Sequence, residues 1–93
     1  MLPIVWSPRA DEDLTAITEF IWLRNPIAAQ RLWHLIQDSV LPLSEHPYLF
    51  RQSERVPGCR EIVVHPNYIV VYRVAIASVD VLRVLHARQK YPE

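Results

Sequence analysis

Apolar residues along this chain keep one period up to about residue 40 and a different one after residue 60. "PIVW" opens as a short apolar strand. Ser7 and Pro8 then read as a helix start: serine offers a side-chain acceptor to an unpaired N–H, and proline fits the first helical position. Ala10, Leu14, Ile17 and Ile21 follow at spacings of three and four, which makes one core-facing stripe. The helix should end near Arg24, where Asn25-Pro26 repeats the capping device. Ala29, Leu32, Ile36 and Val40 form the matching stripe of a second helix. A connection as short as Arg24-Asn25-Pro26 predicts an antiparallel helical hairpin.

Residues 43–58 have no clean period and read as a loop with room for one helical turn. From Arg60 the composition becomes β-branched, and "REIVVH", "YIVVYRVAI" and "SVDVLRVLH" read as three strands. Pro66-Asn67 and Ala77-Ser78 supply the turns between them. Nearly continuous Ile and Val in the last two strands predicts burial on both faces, at the centre of a small sheet. The order is β-α-α-β-β-β, an α+β fold with a helical hairpin packed on one face of a small antiparallel sheet.

Composition narrows the functions open to such a fold. At 93 residues the chain is one domain, spanning 1–93, with a thin core. It has one Gly and eight Pro, so a glycine-rich phosphate loop is excluded. Formal charge is zero, but residues 1–45 carry three basic and six acidic groups (−3), and residues 46–93 carry seven and four (+3). An anionic or acidic partner is therefore expected at the C-terminal half. Direct DNA binding by the chain alone is not expected, because it relies on a summed positive field. Cys59 has no disulfide partner, and His34, His46 and His65 share no ligand spacing with it, so neither metal nor cofactor is expected. "MLPIVWSP" lacks a basic leader, and no run approaches the roughly 20 apolar residues of a membrane span. A cytoplasmic protein with no membrane partner is expected.

Individual side chains each carry a bland reading beside a functional one. Asp11, Glu12 and Asp13 resemble paired carboxylates, yet compensation of the helix dipole accounts for them. Ser44 and Ser53 lack an adjacent base to make either a nucleophile. Strand alternation sets Arg73 with Ile69 and Val71, away from Tyr72. It either faces an anion together with Arg60 and Arg88 or pairs with Glu61 or Asp80. His86 has the right ordinary pKa for a base, but a histidine closing a strand more often bonds backbone. Arg88 and Lys90, near the chain end, suit partner contact. Arg83 should pair with a carboxylate of the first helix. Phe20, Trp22, Leu23 and Trp33 exceed what one core needs, which predicts an exposed groove for an amphipathic or extended partner segment, or for self-association.

Four stretches carry a family resemblance: "VWSPRADEDL", "VLPLSEHP", "GCREIVVHPNYIVVYRV" and "VLRVLHARQKYP". Together, from about Ile4 to Tyr91, the chain resembles the RelE/ParE toxins of bacterial toxin–antitoxin operons, in particular the ParE branch. The resemblance implies a cognate antitoxin that wraps the helices and sheet. ParE-type members are associated with DNA gyrase inhibition and plasmid stabilisation, without nuclease activity. RelE-type members instead cut messenger RNA on the ribosome through attack by the 2′-hydroxyl, which needs a base, phosphate-directed cations and an acid.

Carried onto this sequence, the candidates for that chemistry are Arg60, His86, Arg88 and Tyr91. Ile62 and Ile69 stand where the nucleases place two further cations. Losing one oxyanion-type donor costs on the order of 10²–10³ in rate, so the set is too incomplete for efficient cleavage. The expectation is a growth-blocking toxin that acts by binding rather than by cleaving, with gyrase as target and cleavage of ribosome-bound mRNA as the alternative. Its target surface would be Arg60, Arg73, His86, Arg88 and Lys90, and its antitoxin surface Phe20, Trp22, Leu23 and Trp33.

Overall fold

The computed structural model describes residues 1–92. The elements are β1 (Ile4–Trp6), α1 (Pro8–Trp22), α2 (Pro26–Ser39), a 3-10 turn (Leu41–Ser44), β2 (Arg60–His65), β3 (Tyr68–Val74) and β4 (Val79–His86). Both helices start as expected. The Ser7 hydroxyl accepts the Ala10 N–H at 3.0 Å, and Asn25 Oδ1 accepts that of Ala28 at 3.1 Å. The Ser7 hydroxyl also donates to the Leu82 carbonyl at 3.0 Å, which ties the start of α1 to β4.

The four strands lie in the order β1-β4-β3-β2. β2, β3 and β4 run antiparallel, as expected, and β1 joins the edge of β4 in parallel, so the sheet is mixed. Both helices, the long loop, β2 and β3 separate β1 from β4 in the chain, and a connection of that length permits the parallel pairing. The second turn is longer than expected. β3 ends at Val74, Val74 pairs with Val79, and Ala75 donates to Ser78 across a four-residue loop that leaves Ile76 fully exposed.

Burial on both faces of β3 and β4 is realised by two separate clusters. On the helix side, Ala10, Leu14, Leu32, Ile36, Val40 and Leu43 meet Ile62, Val70, Tyr72, Val79, Val81 and Val84. Ile17 and Ile21 of the predicted α1 stripe are half-buried at the margin of that core. On the other face a smaller cluster joins Cys59, Ile69, Val71 and Leu85, with Val56, Leu82 and Tyr91 packed against it. No helix among the described residues covers this second face. It is covered by the loop before β2 and by the segment after β4, and these two coverings shape the candidate site.

Candidate functional site

The loop before β2 is held by side chains more than by apolar contact. Ser53 is buried, and its hydroxyl donates to Glu61 Oε2 at 3.0 Å while accepting the N–H groups of Arg55 and Val56, each at 3.1 Å. Glu61 takes a second bond from Arg51 at 2.9 Å. Backbone pairing of Ser53 with the Cys59 carbonyl closes the loop, and its turn requires the left-handed φ of +81° that Gly58 supplies. From this frame Arg55 reaches across to the segment after β4, donating to the Ala87 carbonyl at 2.6 Å and the Gln89 carbonyl at 2.9 Å.

A second clamp sits at the edge of β4 that β1 leaves unpaired. Arg83 donates to both oxygens of Asp13, at 2.7 and 3.1 Å, and Asp13 also accepts the Val84 N–H at 3.0 Å. The Tyr91 ring lies 4.7 Å from the Arg83 guanidinium carbon. The bond from Asp13, with lesser help from Tyr91, holds the Arg83 pKa above its ordinary value. Arg83 thus pairs with an α1 carboxylate, as expected. The dipole reading of Asp13 needs correction, because this carboxylate caps a strand edge and binds an arginine 70 residues away.

The expected cationic target surface does not assemble as one rim. Arg60 lies opposite Tyr72 and His86 opposite Tyr68, so they flank β3 on opposite sides and at opposite ends, offset by roughly 13 Å along the strand at 3.3 Å per residue. Arg60 points to the helix side, where it donates to the Phe50 carbonyl at 2.8 Å and stacks 5.0 Å over the Tyr48 ring. Arg73 points to the other face and pairs with Asp80 at 3.3 Å, the plainer of its two readings. The Ser78 hydroxyl at 2.6 Å, with Arg73 behind it, holds the Asp80 carboxyl below its ordinary pKa.

At the other end of the sheet, His86 Nδ1 accepts the Arg88 N–H at 3.1 Å and the ring packs edge-on against Tyr68 at 5.5 Å. Its contact with backbone is as acceptor, not as the donor usual for a strand-closing histidine. Arg88 and Lys90 are exposed. Tyr91 is folded against Arg83 and Leu82, whereas Arg60 lies on the helix side of the sheet. The four nuclease candidates are therefore not convergent.

The two isoleucines also separate. Ile62 pairs with Val70 inside the helix-side core, whereas Ile69 belongs to the opposite cluster, and each is 3% exposed. They cannot both replace cations of one phosphate site. The β2 residues that share a face with Ile69 are Glu61 and Val63, one an engaged carboxylate and the other apolar. Cys59 lies at the edge of this face, and burial pushes its thiol pKa up. Among the described residues no group of three or more His, Cys, Asp or Glu side chains is placed to hold a metal ion.

The outer helix surface divides in two. Trp22 and Trp33 line one groove with Thr18, Glu19, Ala29 and Gln30. Phe20, two residues from Trp22 and so about 160° around the helix, is stacked under Arg24 at 5.1 Å. Leu23 is exposed at the helix end. The structure thus joins the two tryptophans and leaves Phe20 apart. On the far side of α2 lies a second groove, lined by Ile27, Leu35, Arg31, Ile21 and Tyr68, which the stripe analysis missed. Ile27, Arg31 and Leu35 recur every four residues off the core stripe, and that spacing was the available signal.

Residues 4–91 match the family described as "ParE toxin of type II toxin-antitoxin system, parDE". This chain belongs to the ParE toxin family. Its relatives include two Caulobacter vibrioides proteins. "Toxin RelE2" is 38% identical over 94% of this chain and 97% of its own length; "Toxin RelE3" is 30% identical over 97% and 99%. Among solved structures, "Chromosomal ParDE TA system from P. aeruginosa" superposes with a TM-score of 0.81 at 27% identity, over 92% of this chain and 96% of that one. The YoeB dimer of Staphylococcus aureus shares the fold, with a TM-score of 0.63 at 16% identity over 91% and 95%. The ParE-family chain is thus a toxin of a type II toxin–antitoxin system in the RelE/ParE superfamily. No helix among its described residues is long and apolar enough to cross a membrane.

Proposed function

We propose that this toxin blocks growth in the cytoplasm by binding DNA gyrase, without nuclease activity, and that its cognate antitoxin neutralises it. The observation that carries this reading is the sheet face away from the helices. RNA cleavage needs cations directed at a strained phosphate, together with a base and an acid within reach. Here that face presents Val63, Ile69, Val71 and the engaged pairs Glu61–Arg51 and Arg73–Asp80, with Tyr91 packed on Arg83. A carboxylate beside the cluster disfavours a phosphate. The exposed Arg88 and Lys90 offer an acidic protein surface two positive charges, which suits binding better than catalysis. For the antitoxin, the groove between Trp22 and Trp33 is the docking surface, with Leu23 at its end.

A second reading, ribosome-dependent mRNA cleavage, has one specific support: the relatives at 38% and 30% identity are named RelE toxins. Purified gyrase separates the two. The toxin should inhibit ATP-dependent supercoiling of relaxed plasmid at stoichiometric concentrations, and added antitoxin should restore it. Full supercoiling at a large molar excess of toxin rejects the gyrase reading.

A further inference from the structure

The segment after β4 carries Arg88 and Lys90, and it is held both by its own backbone N–H groups and from outside. Ala87 donates to the Asn67 carbonyl at 2.7 Å, Gln89 donates to the His86 carbonyl at 2.9 Å, and Arg88 donates to His86 Nδ1 at 3.1 Å. Two of its carbonyls, those of Ala87 and Gln89, are taken by the guanidinium of Arg55. Arg88 lies between them. Arg55 holds the peptide plane before Arg88 through the Ala87 carbonyl, and the Gln89 N–H bonded to His86 holds the plane after it. The Gln89 carbonyl ties the next peptide to the same guanidinium, and together these bonds set the direction in which the Arg88 side chain leaves the surface.

Arg55 is itself fixed. Its backbone N–H is bonded by the buried Ser53 hydroxyl, which is in turn oriented by Glu61 and, through Glu61, by Arg51. This half-buried arginine spends both terminal nitrogens on backbone carbonyls of a segment in which Arg88 and Lys90 are exposed, so its donors are not free for a partner. What it supplies is order. Holding a flexible segment in one geometry before contact lowers the entropy lost on binding, and the planar guanidinium fork suits that role where a lysine ammonium does not.

We infer that Arg55 is a positioning residue: it presents Arg88, and Lys90 beyond it, in the geometry that engages the toxin's target. This rests on the binding-inhibitor reading above. The test is a double-mutant cycle on the purified full chain: wild type, Arg55→Ala, Arg55→Lys, Arg88→Ala and the double alanine variant. Each is assayed for supercoiling inhibition and for growth arrest in a host lacking the antitoxin, with thermal unfolding and amide exchange measured alongside. Removing the fork should weaken inhibition by about tenfold or more, the effect expected of lost charge-assisted bonds. Arg55→Lys should fall between wild type and Arg55→Ala, and amides of residues 87–91 should exchange faster while those of β3 do not.

The decisive result is the double variant. If Arg55 acts through Arg88, the double variant is no weaker than the weaker single one. Penalties that multiply, or an Arg55→Ala protein of wild-type potency with a loosened segment, overturn the inference. A wild-type chain that arrests growth while leaving supercoiling intact overturns the gyrase reading instead, and growth arrest then decides the Arg55 cycle.

Discussion

The helix side of the sheet and its opposite face are both dry at the centre, but they are closed in different ways. Twelve buried residues from both helices, the 3-10 turn and three strands interlock on the first. Four form the centre of the second, which is too few to hold a covering by apolar area alone. There the covering is held by named polar bonds: Ser53 to Glu61, Arg55 to two carbonyls, and Arg83 to Asp13 under Tyr91. The lesson is that the helix side supplies global stability, while the opposite face can loosen locally and so can be tuned for a partner.

That contrast can be broken by substitution, beginning with the largest effect. Ile36→Ala leaves a cavity at a position of 0% exposure and should cost about 3–4 kcal/mol in chemical denaturation, with one transition for all probes. Asp13→Ala strips an almost buried guanidinium of its partner and frees the Val84 N–H, and should cost about 2–3 kcal/mol. Because Asp13 joins α1 to the edge of β4, this loss should also appear as a global one. Ser53→Ala sharpens the comparison. It should cost only about 1–2 kcal/mol, while amide exchange accelerates in residues 53–61 and 87–91 and stays slow in Val70 and Tyr72. Uniform acceleration would show that the two faces unfold as one unit.

The smallest effect is electrostatic. Asp80 is held below its ordinary pKa in the folded chain, so its pairing stabilises the fold at pH values above the ordinary carboxylate range. That stabilisation is lost as pH falls through the folded value. Arg73 is more than half exposed, so solvent screens the pair and its worth should stay below about 1 kcal/mol. Asp80→Asn should flatten this part of the acid-unfolding curve and change nothing near neutrality.

The same contrast explains what could be read from the sequence. Ser7-Pro8 and Asn25-Pro26 start their helices within the chain itself, and the Ala29, Leu32, Ile36, Val40 stripe needs only helical period to be seen. Local rules therefore gave the helix side. Arg55 and Gln89 are 34 residues apart, and Asp13 and Arg83 are 70 apart, so no spacing rule joins them. The sheet register decides such contacts. It also separated Arg60 from His86, which look alike as cations in a linear string, and placed Ile62 and Ile69 on opposite faces. Beside Ile69 the sheet carries Glu61 and Val63, neither of them a cation, while Ile62 belongs to the helix-side core.

Mapping of transcript ends in a purified translation system charged with this toxin tests the central claim most directly. If the face beneath Tyr91 seats no RNA phosphate, message ends and protein yield should match the toxin-free reaction at any toxin concentration that stops gyrase. New 3′ ends at the ribosomal decoding position, vanishing with Arg88→Ala, would contradict the account.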